Sequence, residues 1–302
     1  MNVSAEASAN VALSALDDLW FQISGTLCNL TCQHCFISCS PTNHAFEPIS
    51  RETVLKTLEE SRVLGVKEYY FTGGEPFIHP DMVEILERTL ELGPATVLTN
   101  GTLLKPPAIA RLAIAEAGSL YSLEFRVSID GYTPESNDRI RGRGSFARAM
   151  AGVRLLLEQG FLPIVTVAQT WEDGRTDEVL ARFVEVLKAE GYARPRVKLI
   201  PTLRLGAEVE RSHGYHDSER VTASMLEDFD PSALVCAHSR MVTDRGVYVC
   251  PILIDAPEER MGDHLGDALG PSKLDHGACY TCYLSGAICS NTNVSAGGGD
   301  VS

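Results

Sequence analysis

The chain has 302 residues, of which 44% are hydrophobic, so it is long enough for one large domain or for a medium domain with a small one. Its formal net charge of −14 argues against a general nucleic-acid or anionic-membrane surface, because both need a basic face. The sequence has no apolar run of about eighteen residues and no secretory signal at its start, so we expect a cytoplasmic protein without membrane or nucleic-acid partners.

Short β-rich runs and helical segments alternate along the first two thirds of the chain. Six strands separated by helices are typical of parallel β/α units, whose functional residues collect at the carboxyl ends of the strands. The predicted strands are Leu19–Ile23, Lys67–Thr72, Thr96–Thr99, Leu123–Ile129, Ile164–Ala168 and Val197–Ile200. The predicted helices are Ser50–Leu64, Pro80–Leu92, Pro107–Ala117, Ser145–Gln159 and Asp177–Glu190.

Three cysteines follow the first predicted strand in the order C-x3-C-x2-C, at Cys28, Cys32 and Cys35. Thiolates gathered at one point select zinc, copper(I) or an iron–sulfur cluster. Three ligands from one loop leave a fourth position, which in a cluster is available to a substrate or cofactor. Nine cysteines without an export signal also indicate ligation in a reducing compartment rather than disulfides.

A second motif, Gly73-Gly74-Glu75-Pro76, follows the second predicted strand. Paired glycines let the backbone pass close to a ligand, and their carbonyls can accept hydrogen bonds from an ammonium group. Taken alone, the motif would indicate a tight turn. Its place on the strand next to the cysteine loop favours a functional interpretation.

The cysteine spacing, with the His34 ring before the third cysteine, and the GGEP motif resemble the radical S-adenosylmethionine (SAM) enzymes. The resemblance implies a partial (β/α)6 TIM-type barrel over residues 19–205. It also implies that Cys28, Cys32 and Cys35 hold a 4Fe-4S cluster whose fourth iron binds SAM. In that family the cluster reductively cleaves SAM to methionine and a 5′-deoxyadenosyl radical, which takes a hydrogen atom from the substrate.

The same resemblance implies which residues bind SAM. In the family an arginine pairs with the carboxylate of SAM, which a guanidinium fork suits geometrically. Here that arginine would be Arg141 or the nearby Arg139, although a solvated loop would also explain both side chains. Thr99 and Asn100 could line the cavity or form the turn after their strand, and the turn is the favoured interpretation. The implied SAM-binding residues are Gly73, Gly74, Glu75, Pro76, His34, Ser128, Asp130 and Arg141.

Five more cysteines follow once the alternation ends. Cys236, Gly246 and Cys250 resemble the hairpin that opens a SPASM or twitch auxiliary-cluster domain, although the family spacing between the last two is usually one residue longer. The resemblance implies a small cysteine-rich domain over residues 206–289 with a second 4Fe-4S cluster. Its implied ligands are Cys236, Cys250, Cys279 and Cys282, with Cys289 as a replacement for one of them. A zinc ribbon stays open, because two cysteine pairs also suit structural zinc.

The expected protein is therefore a radical SAM oxidoreductase that modifies a small molecule or a peptide with the help of the second cluster. It would receive electrons from a low-potential donor such as flavodoxin or ferredoxin. Residues 1–18 are an N-terminal extension, too short for a peptide-recognition domain, which tilts the expectation towards a small molecule. Residues 290–302 are predicted to be a flexible tail.

Other functions stay open at this stage. Within the family, the alternatives are an epimerase or a methyltransferase. An epimerase needs a thiol hydrogen donor, for which Cys39 and Cys289 are the candidates, while no other catalytic residue is identified. In a different class, the chain would be a non-catalytic iron–sulfur or zinc-binding protein.

Overall fold

The computed structural model describes residues 9–171 and 174–286. Its strands are β1 Asn10–Val11, β2 Asp18–Gln22, β3 Glu68–Thr72, β4 Ala95–Thr99, β5 Leu123–Ser128, β6 Ile164–Ala168, β7 Arg196–Ile200, β8 Ser239–Thr243, β9 Gly246–Tyr248, β10 Arg260–Gly262 and β11 Ser272–Lys273. Its α-helices are α1 Arg51–Leu64, α2 Met82–Thr89, α3 Pro106–Ala117, α4 Pro134–Arg141, α5 Ser145–Glu158, α6 Thr176–Ala189, α7 Val209–Ser212 and α8 Gly277–Ser285.

Nine of the described strands form one mixed sheet in the order β10-β9-β8-β2-β3-β4-β5-β6-β7, and β1 and β11 form a separate two-stranded sheet. The strands β2 to β7 pair in parallel and in chain order, with helices in the connections between them. This is the arrangement of a partial (β/α)6 barrel, and it confirms the predicted fold class. All six predicted strands and all five predicted helices are present, with bounds that differ by a few residues.

One helix of the barrel, α4, was not predicted. Thr133 caps it by accepting a hydrogen bond from the backbone N–H of Ser136 at 3.3 Å. Pro134 then occupies the first helical turn, where its missing N–H costs nothing. The consequence is that Arg141 lies at the end of a helix rather than in a solvated loop.

The central strands separate two environments because alternate side chains point to opposite faces. Leu19 and Phe21 of β2 belong to the hydrophobic core that the helices cover, where Phe21 stacks on Phe71 at a centroid distance of 5.2 Å. Trp20 belongs to a different cluster and stacks on Tyr70 at 4.2 Å. The face that carries Trp20 is the inner face of the partial barrel.

The C-terminal part of the chain joins the same sheet. β8 pairs in parallel with β2, and β9 and β10 add to it as antiparallel strands. Near the N-terminus, β1 pairs with β11 through Asn10 and Lys273. The boundaries at residues 205 and 289 stay predictions.

Across the two described ranges, no helix combines the length and the apolar character needed to cross a membrane.

Candidate functional site

The carboxyl ends of the parallel strands surround one cavity. Backbone loops after β2 and β3 form one side, and residues of β5, β6 and β7 form the other. Among its lining residues are the sequence-predicted Cys28, Cys32, His34, Cys35, Gly73, Gly74, Ser128, Asp130 and Arg141. The structure therefore brings together most of the first site that the sequence predicts, while Glu75 and Pro76 are not among its described lining residues.

Two of the three thiols of this cavity accept hydrogen bonds from N–H groups. Cys28 Sγ accepts from the backbone of Leu30 at 3.4 Å and lies 3.8 Å from the side-chain amide of Asn100. Cys35 Sγ accepts from the backbone of Cys39 at 3.3 Å. N–H groups directed at sulfur stabilise anionic thiolates and tune the clusters that they bind. The donor set therefore fits a 4Fe-4S cluster.

The pKa values of the three thiols also fit a bound cluster. Burial raises the pKa of Cys28 to about 12 and that of Cys32 to about 11. A hydrogen bond from the Cys39 thiol lowers the pKa of Cys35 to about 6. Two of the three thiols therefore deprotonate only when a cation at the sulfur offsets the cost of burial, which iron does on binding.

The paired glycines have a packing role that the sequence did not show. A Cβ atom on Gly74 would lie 1.9 Å from the carbonyl oxygen of Leu27, and one on Gly73 would lie 2.4 Å from Ser24 Oγ. The backbone N–H of Gly74 donates to Gly25 at 2.9 Å. Both glycines are thus needed for the close approach of this turn to the loop that leads into Cys28. Their inner surface still lines the cavity.

Hydrogen bonds of Glu75 connect the carboxyl end of β3 to that of β4. Its buried carboxylate accepts hydrogen bonds from Thr99 Oγ1 at 2.7 Å, from the Asn100 N–H at 2.7 Å and from the Phe77 N–H at 3.1 Å. Burial raises the pKa of Glu75, although these hydrogen bonds oppose the shift. Pro76 begins a single 3-10 turn, Pro76–Ile78. The Glu-Pro half of the motif therefore holds the loop in place.

Asp130 is the centre of a charged cluster at the end of β5. It accepts hydrogen bonds from the N–H of Ala168 at 2.8 Å and contacts His34 Nε2 at 2.6 Å, and it forms an ion pair with Arg141. Burial alone would raise the pKa of Asp130, but Arg141 and His34 hold it well below the usual range of an aspartate. Arg141 also interacts with Cys32. The cluster fixes Arg141 beside the thiol loop.

Two residues that the sequence placed in a simple turn belong to the site. Thr99 and Asn100 line the cavity as well as closing the turn. The Asn100 amide also donates to Asn29 Oδ1 at 2.9 Å, beside Cys28. The sequence could have indicated this role, because both residues lie at the carboxyl end of a predicted parallel strand, where functional residues collect. By contrast, Arg139 is exposed.

Cys39 lies at the edge of this site. Its side chain is buried, lines the cavity and approaches the carbonyl oxygen of Gly73 at 3.9 Å. The hydrogen bond to Cys35 raises the pKa of Cys39. The thiol is therefore a neutral donor to Cys35. The other candidate hydrogen donor, Cys289, lies outside the described residues.

The second cysteine group surrounds a separate cavity. Cys236, Cys250, Cys279 and Cys282 all line it, among apolar side chains. Burial raises the pKa of Cys236 to about 12 and that of Cys250 to about 11. Across residues 9–171 and 174–286, no three His, Cys, Asp or Glu side chains are grouped so that they could hold a single metal ion, so the fit to a cluster depends on the thiols that line each cavity and on the groups around them.

A buried cation stands next to these thiols. Arg240 is fully buried and donates to the carbonyl oxygens of Ala268, Cys236, Ser239 and Gly270 at 2.6 to 2.9 Å. Burial lowers its pKa, while the nearby Cys236 and Cys250 oppose that shift. A guanidinium in this position favours anionic sulfur ligands, so the second cavity fits an anionic cluster.

Comparison with known proteins agrees with the geometry. The Radical SAM superfamily model matches residues 23–187. The bacteriocin subtilosin biosynthesis protein AlbA of Bacillus subtilis (strain 168) is 34% identical over 143 residues, which are 47% of this chain and 31% of AlbA. GTP 3′,8-cyclase of Petrotoga mobilis is 32% identical over 163 residues, which are 53% of this chain and 48% of that enzyme.

PqqA peptide cyclase of Ruegeria pomeroyi is 31% identical over 218 residues, which are 68% of this chain and 56% of the cyclase. The matches thus span only 31% to 56% of the length of these three relatives.

Solved structures share the fold. Streptococcus suis SuiB bound to its precursor peptide SuiA has a TM-score of 0.61 at 14% identity, with 87% of this chain and 65% of SuiB covered. Native anSMEcpe with bound AdoMet and the Cp18Cys peptide has a TM-score of 0.59 at 16% identity, with 83% and 79% covered.

Proposed function

Because this chain belongs to the radical SAM superfamily, which uses SAM and a 4Fe-4S cluster, we propose that it oxidatively modifies a peptide substrate. The observation that carries the proposal is the single cavity lined by the three thiols of the Cys28 loop, the Gly73-Gly74 turn and the Asp130–Arg141 pair. When bound, the cluster and SAM together supply the one-electron chemistry that starts hydrogen abstraction from the substrate.

The chain's own residues have distinct roles in this proposal. Cys28, Cys32 and Cys35 would hold the cluster, and Gly73 would present its carbonyl oxygen to the amino group of SAM. Asp130 keeps Arg141 beside the thiol loop. The positive charge of Arg141 there offsets the negative charge of the thiolates. The apolar walls at Leu98, Ile200 and Leu203, which also line the cavity, would exclude water from the reacting atoms.

Two of the relatives support a peptide as the substrate. AlbA takes part in bacteriocin biosynthesis, and the PqqA cyclase acts on a peptide, as their names state. SuiB has been solved with its precursor peptide, and its fold resembles this one. These relatives outweigh the expectation of a small molecule that came from the short N-terminal segment. The match to GTP 3′,8-cyclase makes a nucleotide the comparison substrate in any assay.

The proposal includes a second 4Fe-4S cluster in the C-terminal part of the chain. Cys236, Cys250, Cys279 and Cys282 would hold it, and the buried Arg240 supports an anionic occupant. Such a cluster would accept the electron that the substrate gives up on oxidation. A low-potential donor such as flavodoxin or ferredoxin would reduce the first cluster.

The test begins with anaerobic reconstitution, metal analysis, and incubation with SAM and a chemical reductant. We expect iron and sulfide for two clusters, little zinc, and 5′-deoxyadenosine as a product. Exchange of Cys32 for Ala should abolish 5′-deoxyadenosine while the iron of the second cluster is retained. A fully reconstituted protein that forms no 5′-deoxyadenosine would refute the enzyme assignment.

The substrate class is tested separately by mass spectrometry. Short peptides encoded beside this gene, and GTP as the comparison, are each incubated with the reconstituted protein, SAM and reductant. We expect a peptide to lose two hydrogen atoms in a SAM-dependent manner. Conversion of GTP instead would overturn the peptide proposal. Replacement of one peptide hydrogen by one solvent deuterium, without the net loss of two hydrogen atoms, would indicate an epimerase.

A further inference from the structure

The inner face of the partial barrel carries polar side chains below the proposed SAM site. Arg126 lies two residues before Ser128 on β5 and therefore on the same face, about 7 Å deeper along the strand. Trp20 of β2 and Thr166 of β6 line the same cavity as Arg126. The intervening residues Phe125 and Val127 belong instead to the core under the helices. The cavity thus continues one layer of side chains below Ser128.

Three buried polar atoms on this inner face have no hydrogen-bond partner among the residues that the structure describes. They are Trp20 Nε1, Gln22 Oε1 and Thr166 Oγ1. Thr166 is level with Ser128, its partner in the register of β5 and β6, and Gln22 lies two residues further along β2 than Trp20. The side chains are well buried, since the exposed fraction is 1% for Trp20, 1% for Gln22 and 9% for Thr166. Unsatisfied buried polar groups are rare because each is costly, and those that line a cavity are suited to a ligand. The cavity therefore offers two hydrogen-bond donors, the Trp20 indole N–H and the Thr166 hydroxyl, and one acceptor, the Gln22 amide oxygen.

The inner face also carries positive charge at Arg126. The Arg126 side chain is buried, and its Nε lies 3.9 Å from Glu124 Oε1. The other oxygen of Glu124 accepts from Arg196 at 2.7 Å, so one carboxylate serves two guanidinium groups and the trio carries a formal charge of +1. Asp130 and Arg141, which also line the cavity, already pair with each other.

Aromatic stacking holds these donors in position. The Trp20 ring stacks on Tyr70 at 4.2 Å with an interplanar angle of 8°. The Arg126 guanidinium carbon lies 5.8 Å from the centre of the same Tyr70 ring, within the range of a cation–π contact. The Tyr70 hydroxyl donates to Glu68 at 2.6 Å, which fixes the ring. Preorganised donors lose little conformational entropy when a ligand binds.

We infer that Arg126, Trp20 Nε1 and Thr166 Oγ1 form a subsite for a carboxylate group of the substrate. A carboxylate matches the planar guanidinium and leaves lone pairs for the indole N–H and the hydroxyl. Gln22 Oε1 accepts an amide N–H of the same molecule. The inference rests on the proposed peptide substrate and specifies it further. The carboxylate is supplied by the C-terminus of the peptide or by an acidic side chain.

The experiment measures binding without turnover. Reconstituted protein with oxidised clusters and SAM, but without reductant, is titrated anaerobically in a calorimeter with matched pairs of probes. N-acetyl-Ala-Ala with a free C-terminus is compared with its amide, and N-acetyl-Ala-Glu-amide is compared with N-acetyl-Ala-Gln-amide. We expect one carboxylate probe to bind about 10- to 100-fold more tightly than its neutral partner, as a hydrogen-bonded charge implies. The preferred pair identifies the source of the carboxylate.

Variants then test which side chains cause the preference for a carboxylate. Arg126→Met should abolish it, and Arg126→Lys should retain part of it because the charge remains without the fork. Thr166→Val should weaken binding several-fold with no loss of thermal stability, because the hydroxyl has no partner to lose within the described ranges. Arg154→Met is the matched control, since this half-exposed guanidinium pairs with Glu190, away from Glu124, and lies outside the described cavity lining. It should leave the preference unchanged.

Three results would overturn the inference: equal binding within both probe pairs, no binding of any probe, or a preference that survives Arg126→Met. The comparison of the probe pairs uses the wild-type protein, so it remains valid even if a variant fails to fold. Production of 5′-deoxyadenosine is measured in parallel on the same preparation. If it forms without a carboxylate preference, the subsite is wrong and the proposed reaction stands. If the preference is present without 5′-deoxyadenosine, the subsite stands and the reaction is wrong.

Discussion

Exchange of Glu75 for Gln separates two roles that the GGEP motif could have. The family resemblance places Glu75 among the residues that bind SAM. In the structure its carboxylate instead accepts hydrogen bonds from Thr99, Asn100 and Phe77 and is not among the described lining residues of the cavity. We therefore expect Glu75→Gln to destabilise the protein even when no SAM is present.

The magnitude follows from the contacts that change. A glutamine oxygen in place of Oε1 keeps the bonds from Thr99 and Phe77, but its NH2 group then faces the N–H of Asn100, which lies 2.7 Å from Oε2. One buried bond becomes a contact between two donors, at a cost of about 1–3 kcal/mol. The other two bonds lose their charge assistance, while the neutral side chain recovers part of the desolvation cost. We expect a net loss of about 2 kcal/mol in the free energy of unfolding.

The assay is urea denaturation of the cluster-free protein, followed by circular dichroism. Thr99→Val removes one donor to the same carboxylate, and a double-mutant cycle with Glu75→Gln measures their coupling. Glu227→Gln, at an exposed position outside the α-helices, is the matched control and should have no effect. If Glu75→Gln leaves the unfolding free energy unchanged but weakens SAM binding to the reconstituted protein, the positioning role assigned to Glu75 is wrong.

Three further predictions concern charges and thiols at the two sites. Because the pKa of Asp130 is depressed in the folded state, its contribution to stability is complete above about pH 4 and is lost at lower pH. Asp130→Asn should remove this dependence from urea midpoints of the cluster-free protein and cost about 3–5 kcal/mol at pH 7, since Arg141 loses its buried partner. Cys39→Ala removes a hydrogen bond to Cys35, so the midpoint potential of the first cluster should fall in a redox titration followed by electron paramagnetic resonance; an unchanged potential would contradict this contact. Arg240→Met leaves four carbonyl oxygens without their donor, so the thermal midpoint should drop clearly, whereas an unaltered midpoint would show that water satisfies them.

The parts of this protein that the sequence predicted depend on local patterns. Strands such as Lys67–Thr72 are β-rich runs that end in glycine or polar residues, and Ser50 and Gly65 mark the ends of α1 as expected. The cysteine loop was identified because three thiols within eight residues are typical of a metal or cluster loop. These features need no knowledge of distant contacts.

The parts that were missed depend on contacts between distant segments. The need for glycine at position 74 arises from the carbonyl of Leu27, which lies 47 residues earlier in the chain, and no local pattern encodes that approach. Asn100 joins the site because Glu75 binds its backbone and Cys28 lies beside its amide. Likewise, the pairing of β8 with β2 depends on a register between segments more than two hundred residues apart.

The distribution of arginines links the overall charge to the sites. A net charge of −14 disfavours polyanionic partners at the surface, but it does not describe the interior. Arg126 and Arg240 are buried, and Arg141 nearly so. Arg141 and Arg240 lie beside cysteine thiols, and Arg126 lies deeper in the first cavity. A buried cation is stable only near negative charge, which Asp130 supplies to Arg141 and Glu124 supplies to Arg126. The proposals made above add thiolate-bound clusters beside Arg141 and Arg240 and a substrate carboxylate beside Arg126.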